Sequence, residues 1–211
     1  MNKLHSAPCT FVLIGVNLAF FLVEEIFRFF FDESLFPALA LSRDTLVGGA
    51  WWQLVSHAFL HGNLLHLLVN MVALWFTGPM LEEILGGLRY LSLYFVGIVA
   101  GGLLQTFTSS TSIDLVGASG AVCALLVGFA TLFPQLEITA LIFFVIPVRM
   151  KARTLGWIVI LASLLCSLLG LEKGIGHMAH LGGGIAGFLI CVYYKWSGVL
   201  RNISVVPPPI P

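Results

Sequence analysis

Apolar residues in this 211-residue chain run in long blocks rather than alternating with polar ones. No Asp, Glu, Lys or Arg falls within 45–81, 90–113, 115–136, 154–171 or 174–194. A bilayer's hydrocarbon core is about 30 Å thick, so a crossing helix needs about 20 apolar residues. On that measure the pattern predicts helices near 10–31, 63–82, 89–109, 115–133, 154–171 and 176–195. Glu24, Glu25 and Arg28 interrupt the first of these. Glu24 and Arg28 stand four apart, where side chains share a helix face, and read as the end of that span. Residues 32–62 are too polar and too punctuated by Gly and Pro for a straight span, yet rich in Trp, Phe and Leu. A long loop lying partly in the membrane interface is expected there, with Trp51 and Trp52 at headgroup level. The apolar stretch Ile138–Val148, broken by Pro147, is too short to cross and is expected as a buried or interfacial loop. The fold class is therefore an all-α membrane protein with six transmembrane helices.

Composition agrees with the pattern. Hydrophobic residues make up 59% of the chain, charged residues 9%, and mean hydropathy is +1.02. Soluble domains carry about 25% charged residues, so an ordinary soluble domain and a disordered chain are both excluded. Ten Lys and Arg balance ten Asp and Glu. With no basic tract to hold phosphates, nucleic acid is not an expected partner. Cys9, Cys123, Cys166 and Cys191 form no CxxC pair and are expected as small buried hydrophobes rather than as a disulfide framework or thiolate metal site.

The six spans divide the cations unequally. Lys3, Arg89, Arg149, Lys151, Arg153, Lys195 and Arg201 fall on one side, and Arg43 and Lys173, with Arg28 near a helix end, on the other. Cytoplasmic loops carry the excess of Lys and Arg, which predicts both termini in the cytoplasm: residues 1–9 as the N-terminus, 10–195 as the membrane domain, and 196–211, ending VVPPPIP, as the tail. The first apolar run continues to about Phe31 without a small-residue cleavage pattern and is read as a retained span. The absence of an Arg/Ser-rich transit segment points to a bacterial plasma membrane.

Polar groups inside a bilayer are costly without partners or water. His66 and Asn70 in the second span, Ser119 in the fourth, and His177 and His180 in the sixth are the offenders. Each alone also reads as a helix–helix hydrogen bond or a backbone-satisfied serine. Their depth argues for more. His66, Ser119 and His180 lie about four residues, or roughly 6 Å, past the starts of spans running in one direction. Asn70 lies one turn below His66 on the same face. Gly120, Ala124 and Gly128, and likewise Gly183 and Gly187, recur at four-residue spacing, which lets the fourth and sixth helices approach closely and brings Ser119 towards His180. A serine hydroxyl needs a base, and neutral imidazole serves near pH 7. His66, Asn70 and the Ser119 backbone N–H are the candidate oxyanion donors. No intramembrane carboxylate is placed to orient His180; Asp114 is expected to cap the helix that carries Ser119. A Ser–His dyad follows.

These residues sit in motifs. HAFLHGNLLHLLVNM over 57–71, Gly78-Pro-Met-Leu-Glu82-Glu-Ile-Leu-Gly86, Gly117-Ala-Ser119-Gly120 and Ala179-His180-Leu-Gly-Gly183-Gly-Ile-Ala-Gly187 appear in that order. Together they resemble the signatures of the rhomboid intramembrane serine proteases, over about Trp51 to Gly187. The resemblance implies a six-helix fold with a water-filled cavity open to the outer side. It implies Ser119 as nucleophile, His180 as base, His66 and Asn70 as oxyanion-hole donors, and structural roles for Glu82, its neighbouring glycines, His57 and His61. The substrates it implies are transmembrane segments of other proteins, cleaved near the outer face, with access through movement of the fifth helix and the loop before the sixth. A substrate helix must unwind before attack, which favours small or helix-breaking residues at the cut. No cofactor or metal is implied.

Two positions depart from the family pattern. Gln53 follows Trp52 where the family often has Arg, a change expected to affect loop anchoring in lipid. Cys123 stands four residues after Ser119, where many bacterial members carry an aromatic residue against the histidine. Rival readings are a metal site built from His57, His61, His66, His177 and His180, which lacks an HExxH motif, a transporter, which lacks an intramembrane acid chain, and a non-catalytic relative that binds or escorts membrane helices.

Overall fold

A computed structural model describes residues 7–108, 114–142, 146–170 and 176–200. Lys3, Lys173, Arg201, the tail 201–211 and most of the loop before the last helix lie outside the described residues. Long helices stand where the hydropathy pattern places them: α1 (Pro8–Phe31), α5 (Leu64–Leu85), α6 (Gly87–Thr108), α7 (Ser119–Leu132), α8 (Ala152–Leu169) and α9 (His177–Trp196). Between α1 and α5 the chain forms three short helices, α2 (Phe36–Leu39), α3 (Arg43–Val47) and α4 (Gln53–Ser56), and one 3-10 turn at His57–Phe59. The protein is therefore an all-α membrane protein in its main architecture.

Among the described residues, four helices, α1, α5, α6 and α8, are long and apolar enough to cross a membrane. The other two fall short of the six-span expectation for separate reasons. The 14 residues of α7 rise only about 21 Å at about 1.5 Å each. The histidines, glycines and tyrosines of α9 lower its hydropathy.

The expected loop at Ile138–Val148 is instead part of an antiparallel hairpin, β1 (Glu137–Ile142) with β2 (Ile146–Lys151). Ala152 N–H and Arg153 N–H donate to the Leu136 and Pro134 carbonyls, so the hairpin is clamped between the end of α7 and the start of α8. Residues 137–140 and 147–151 alternate between exposed and half-buried, the period of a strand, which a short apolar run does not disclose by itself.

Bare backbone makes the centre of the bundle. A Cβ added at Gly183 would run into the Gly120 carbonyl oxygen, and one at Gly187 into that of Ala124. On the other face of α9, a Cβ at Gly182 would lie 2.7 Å from the Ala100 oxygen, and one on α6 at Gly101 2.6 Å from the Ala179 oxygen. Helices α6, α7 and α9 thus meet at distances only glycine permits, as the four-residue spacing predicts for α7 and α9.

Carboxylates fasten the periphery. Glu82, in α5, accepts hydrogen bonds from the N–H groups of Cys9 (2.9 Å) and Thr10 (2.8 Å) and from the Thr10 hydroxyl (2.8 Å). It satisfies first-turn donors of α1, which has no side-chain cap of its own. A Cβ at Gly78 would fall 2.5 Å from the Thr10 methyl, so that glycine admits the cap. At the far end of α1, Glu24 is buried and accepts from Ser34 Oγ (2.7 Å) and Leu35 N–H (2.8 Å). Arg28 pairs with Glu25 at 3.4 Å, three residues away and exposed, and not with Glu24. Glu24 instead serves the chain that follows the helix. Cys123 and Cys191 are buried, Cys9 and Cys166 half-buried, and all four are free thiols.

The α7–α9 contact makes a stability prediction. Gly187→Val, which must displace the α7 backbone, should lower the thermal midpoint in detergent by the equivalent of about 1–3 kcal/mol or more. Gly15→Ala, with nothing within 4 Å of its Cβ, should leave the midpoint unchanged or raise it slightly. Equal midpoints for Gly187→Val and the parent chain would contradict this packing.

Candidate active site

Ser119 is the first residue of α7, and the backbone ahead of it explains why the helix begins there. Leu115 pairs with Leu41 through two backbone hydrogen bonds, 3.1 and 2.8 Å. Gly117 then turns the chain at φ 114°, a conformation that favours glycine, and its N–H donates to the His57 carbonyl at 2.9 Å. A Cβ on Gly117 would lie 2.6 Å from Cε1 and Nε2 of His66, so the glycine also makes room for that ring. Helix α7 starts four residues later than expected of a helix from 115. Asp114 is not its cap: the N-cap is Ala118, with no side-chain hydrogen bond, and Asp114 is exposed.

His180 lies in the first turn of α9. Its Nε2 is 2.8 Å from Ser119 Oγ. With Nε2 unprotonated, the serine hydroxyl donates to it. Gln105, in α6, accepts from Ala179 N–H through Oε1 at 3.1 Å, satisfying a first-turn donor of the same helix beside the histidine. The ring of His177 stands perpendicular to that of His180, centroids 6.0 Å apart.

His66 lies in the first turn of α5. Asn63 caps that helix, accepting from His66 N–H at 2.8 Å. Asn70 is buried one turn on and donates from Nδ2 to the His66 carbonyl at 3.0 Å. That leaves one amide N–H and the amide oxygen for other partners. His66, Asn70, Ser119 and His180 all line one cavity of about 450 Å³, together with Asn63, Gln105 and Asp114. The depth argument from sequence thus corresponds to a shared location: Ser119, His66 and His180 occupy first turns of α7, α5 and α9 at one end of the bundle.

His57 and His61 lie outside the long helices and serve the frame. His57 Nδ1 donates to the Gln53 carbonyl at 2.7 Å, and its ring packs against Gly102 of α6. His61 is buried with its ring edge-on to that of His66, inclined at 67° with centroids 5.0 Å apart. Among the described residues, no three His, Cys, Asp or Glu side chains gather where they would hold a metal ion. Gln53, expected to bear on anchoring in lipid, is instead buried. It accepts from the Thr45 hydroxyl and reaches the Ala38 carbonyl at 3.3 Å. Trp51 and Trp52 are exposed. Cys123 is buried in α7, one turn beyond Ser119.

Sequence reasoning passed over Asn63, Gln105 and the Leu41–Leu115 pairing. Asn63 carried a signal, an Asn just ahead of an apolar helix. Gln105 is the one amide side chain in α6, though nothing in its spacing points to α9.

The residue 48–197 segment matches the rhomboid domain. The chain is 31% identical over 205 residues to the mitochondrial rhomboid protein 1 of Saccharomyces cerevisiae, covering 92% of this chain and 54% of that one. It is 29% identical over 196 residues to the rhomboid protease GlpG of Pectobacterium atrosepticum (92% and 66%) and to the putative rhomboid protease YdcA of Bacillus subtilis (88% and 94%). It spans about half the yeast protein, and 34% and 46% of two Arabidopsis thaliana rhomboid-like proteins. The chain belongs to the rhomboid family of integral membrane proteins, a family that includes intramembrane proteases.

The two loop histidines predict a pH response. Burial holds both His57 and His61 down to a pKa of about 4, below the ordinary value of about 6.5. They are neutral when folded but take up protons on unfolding below pH about 6.5, so their contribution to stability is complete above that pH and is lost as pH falls towards 4. The thermal midpoint in detergent should be level above about pH 7 and fall between 6.5 and 4. A midpoint unchanged across that window would contradict the burial of these rings.

Proposed function

We propose that this protein is an intramembrane serine endopeptidase that cleaves transmembrane segments of other membrane proteins near their outer face. The observation that carries the reading is the 2.8 Å approach of Ser119 Oγ and His180 Nε2 on the wall of a cavity. In this mechanism His180 takes the hydroxyl proton as Ser119 Oγ bonds to the scissile carbonyl carbon. The oxygen that gains charge meets the Ser119 backbone N–H, at the positive end of the α7 dipole, and the side chains of His66 and Asn70. The tetrahedral intermediate collapses with cleavage of the C–N bond, and His180 returns the proton to the departing amine. Water, activated by the same imidazole, then hydrolyses the acyl-enzyme.

The dyad has no carboxylate in this reading. The first turn of α9, held by Gln105 and by the Gly182 and Gly183 contacts, fixes His180 in place of one. The proposal includes α7 and α9 as spans, giving six, with both termini cytoplasmic in a bacterial plasma membrane. The end of the bundle bearing Arg89, Arg149, Lys151, Arg153 and Lys195 then faces the cytoplasm, and the cavity faces the opposite side.

Ser119→Ala and His180→Ala should each abolish cleavage of a single-span model substrate while the protein remains folded. The double variant should be no worse than either single one, because the pair acts as a unit. A fluorophosphonate probe should label the parent chain and not Ser119→Ala. Cleavage by Ser119→Ala would end the proposal, and the non-catalytic alternative would be favoured if the parent chain resisted labelling. Asn70→Ala should lower turnover about 10- to 1000-fold, the range for losing one oxyanion donor, measured on the same substrate. An unchanged rate would remove Asn70 from the site.

A further inference from the structure

A larger cavity, about 850 Å³, opens between α7, α8 and α9 at the end of the bundle away from Ser119. Its walls are apolar along their length, with Val127, Ile160, Ile185 and Phe188 among them. Its mouth is not. Arg153, at the start of α8, and Lys195, at the end of α9, both line it and are both exposed. Lys195 Nζ donates to the Thr131 carbonyl at 3.1 Å, which holds the ammonium at the mouth with donors to spare. Among the described residues, neither cation has a carboxylate partner. Trp157 and Trp196 complete the rim and are 63% and 81% exposed, as aromatic residues at a membrane–water interface are.

The dimensions fit this arrangement. From Ile185 to Lys195 the groove follows α9 for about 15 Å at about 1.5 Å per residue. That is half of a hydrocarbon core about 30 Å thick, the depth of one leaflet. An apolar slot one leaflet deep, closed at the interface by two indoles and two cations with no carboxylate partner among the described residues, matches a molecule with a hydrocarbon chain and a negative head.

We infer that this groove is a binding site for an anionic glycerophospholipid, one acyl chain lying between α8 and α9 and the phosphate held by Arg153 and Lys195. The phosphate end of the site, at Lys195, lies about 22 Å along α9 from His180, and the inference does not rest on the proteolytic reading. The two cations supply the choice of headgroup, and the slot accepts any acyl chain.

The test is native mass spectrometry of the full chain in mixed micelles holding equal amounts of phosphatidylglycerol and phosphatidylcholine with identical acyl chains. One phosphatidylglycerol should be retained in preference. The double variant Arg153→Gln/Lys195→Gln should lose that preference by about thirtyfold, about 2 kcal/mol at 1.4 kcal/mol per tenfold. The charge-keeping Arg153→Lys/Lys195→Arg should retain it, as should Arg43→Gln at the other end of the bundle. Ile185→Trp, which fills the slot, should displace both lipids. Equal retention of the two lipids by the parent chain would overturn the inference. So would a preference that survives Arg153→Gln/Lys195→Gln, or a second copy of the chain held in place of lipid.

Discussion

Contact between the α7 and α9 backbones fixes the separation of the two side chains at the centre of the site. Gly183 lies against Gly120 and Gly187 against Ala124, so the helices approach with no side chain between them. Ser119 and His180 each lie within one turn of this seam and inherit its geometry. In lipid there is no hydrophobic force between helices to draw them together, and close packing of small residues does the work instead. The third partner, α6, uses Gly101 and Gly97 in the same way against α9 and α7. A polar pair held by rigid backbone needs less support from its own rotamers, which bears on Cys123, a small side chain one turn beyond Ser119.

Four polar side chains share one role. A helix end away from water has donors or acceptors that something must satisfy. Glu82 does this for α1, Glu24 for the chain after α1, Asn63 for α5 and Gln105 for α9. Three of these reach across to another element. Each therefore both satisfies a helix terminus and sets the position of its neighbour. The residues that frame the cavity are tied down by the same contacts that allow the helices to end there.

Much of this was legible in the sequence. The long helices come from uninterrupted apolar runs, and their ends differ from expectation by a few residues, apart from α7, where the turn at Gly117 delays the start. The seam was readable from four-residue glycine spacing, the grouping of Ser119, His66 and His180 from their common depth, and the place of Asn70 from its position one turn below His66 on the same face. The hairpin was not, because a short apolar run carries no period that separates strand from loop. The partners of Glu24, Ser34 and Leu35, lie beyond the end of the helix, where i,i+4 spacing does not reach. Gln105 and Leu41 act through tertiary contacts between residues 74 apart or in different loops, and no local pattern announces such contacts.

The pairing of Leu41 with Leu115 reaches beyond the two residues themselves. It makes the strip of chain just ahead of the nucleophile one half of a miniature ladder whose other half belongs to the segment after α1. An excised core beginning at α4 would keep every side chain in the cavity. It would nevertheless strip Leu115 of both its backbone partners, and the first turn of α7 would lose the abutment that aims it. A unit that keeps this main-chain pairing therefore extends upstream of every residue proposed to take part in the chemistry.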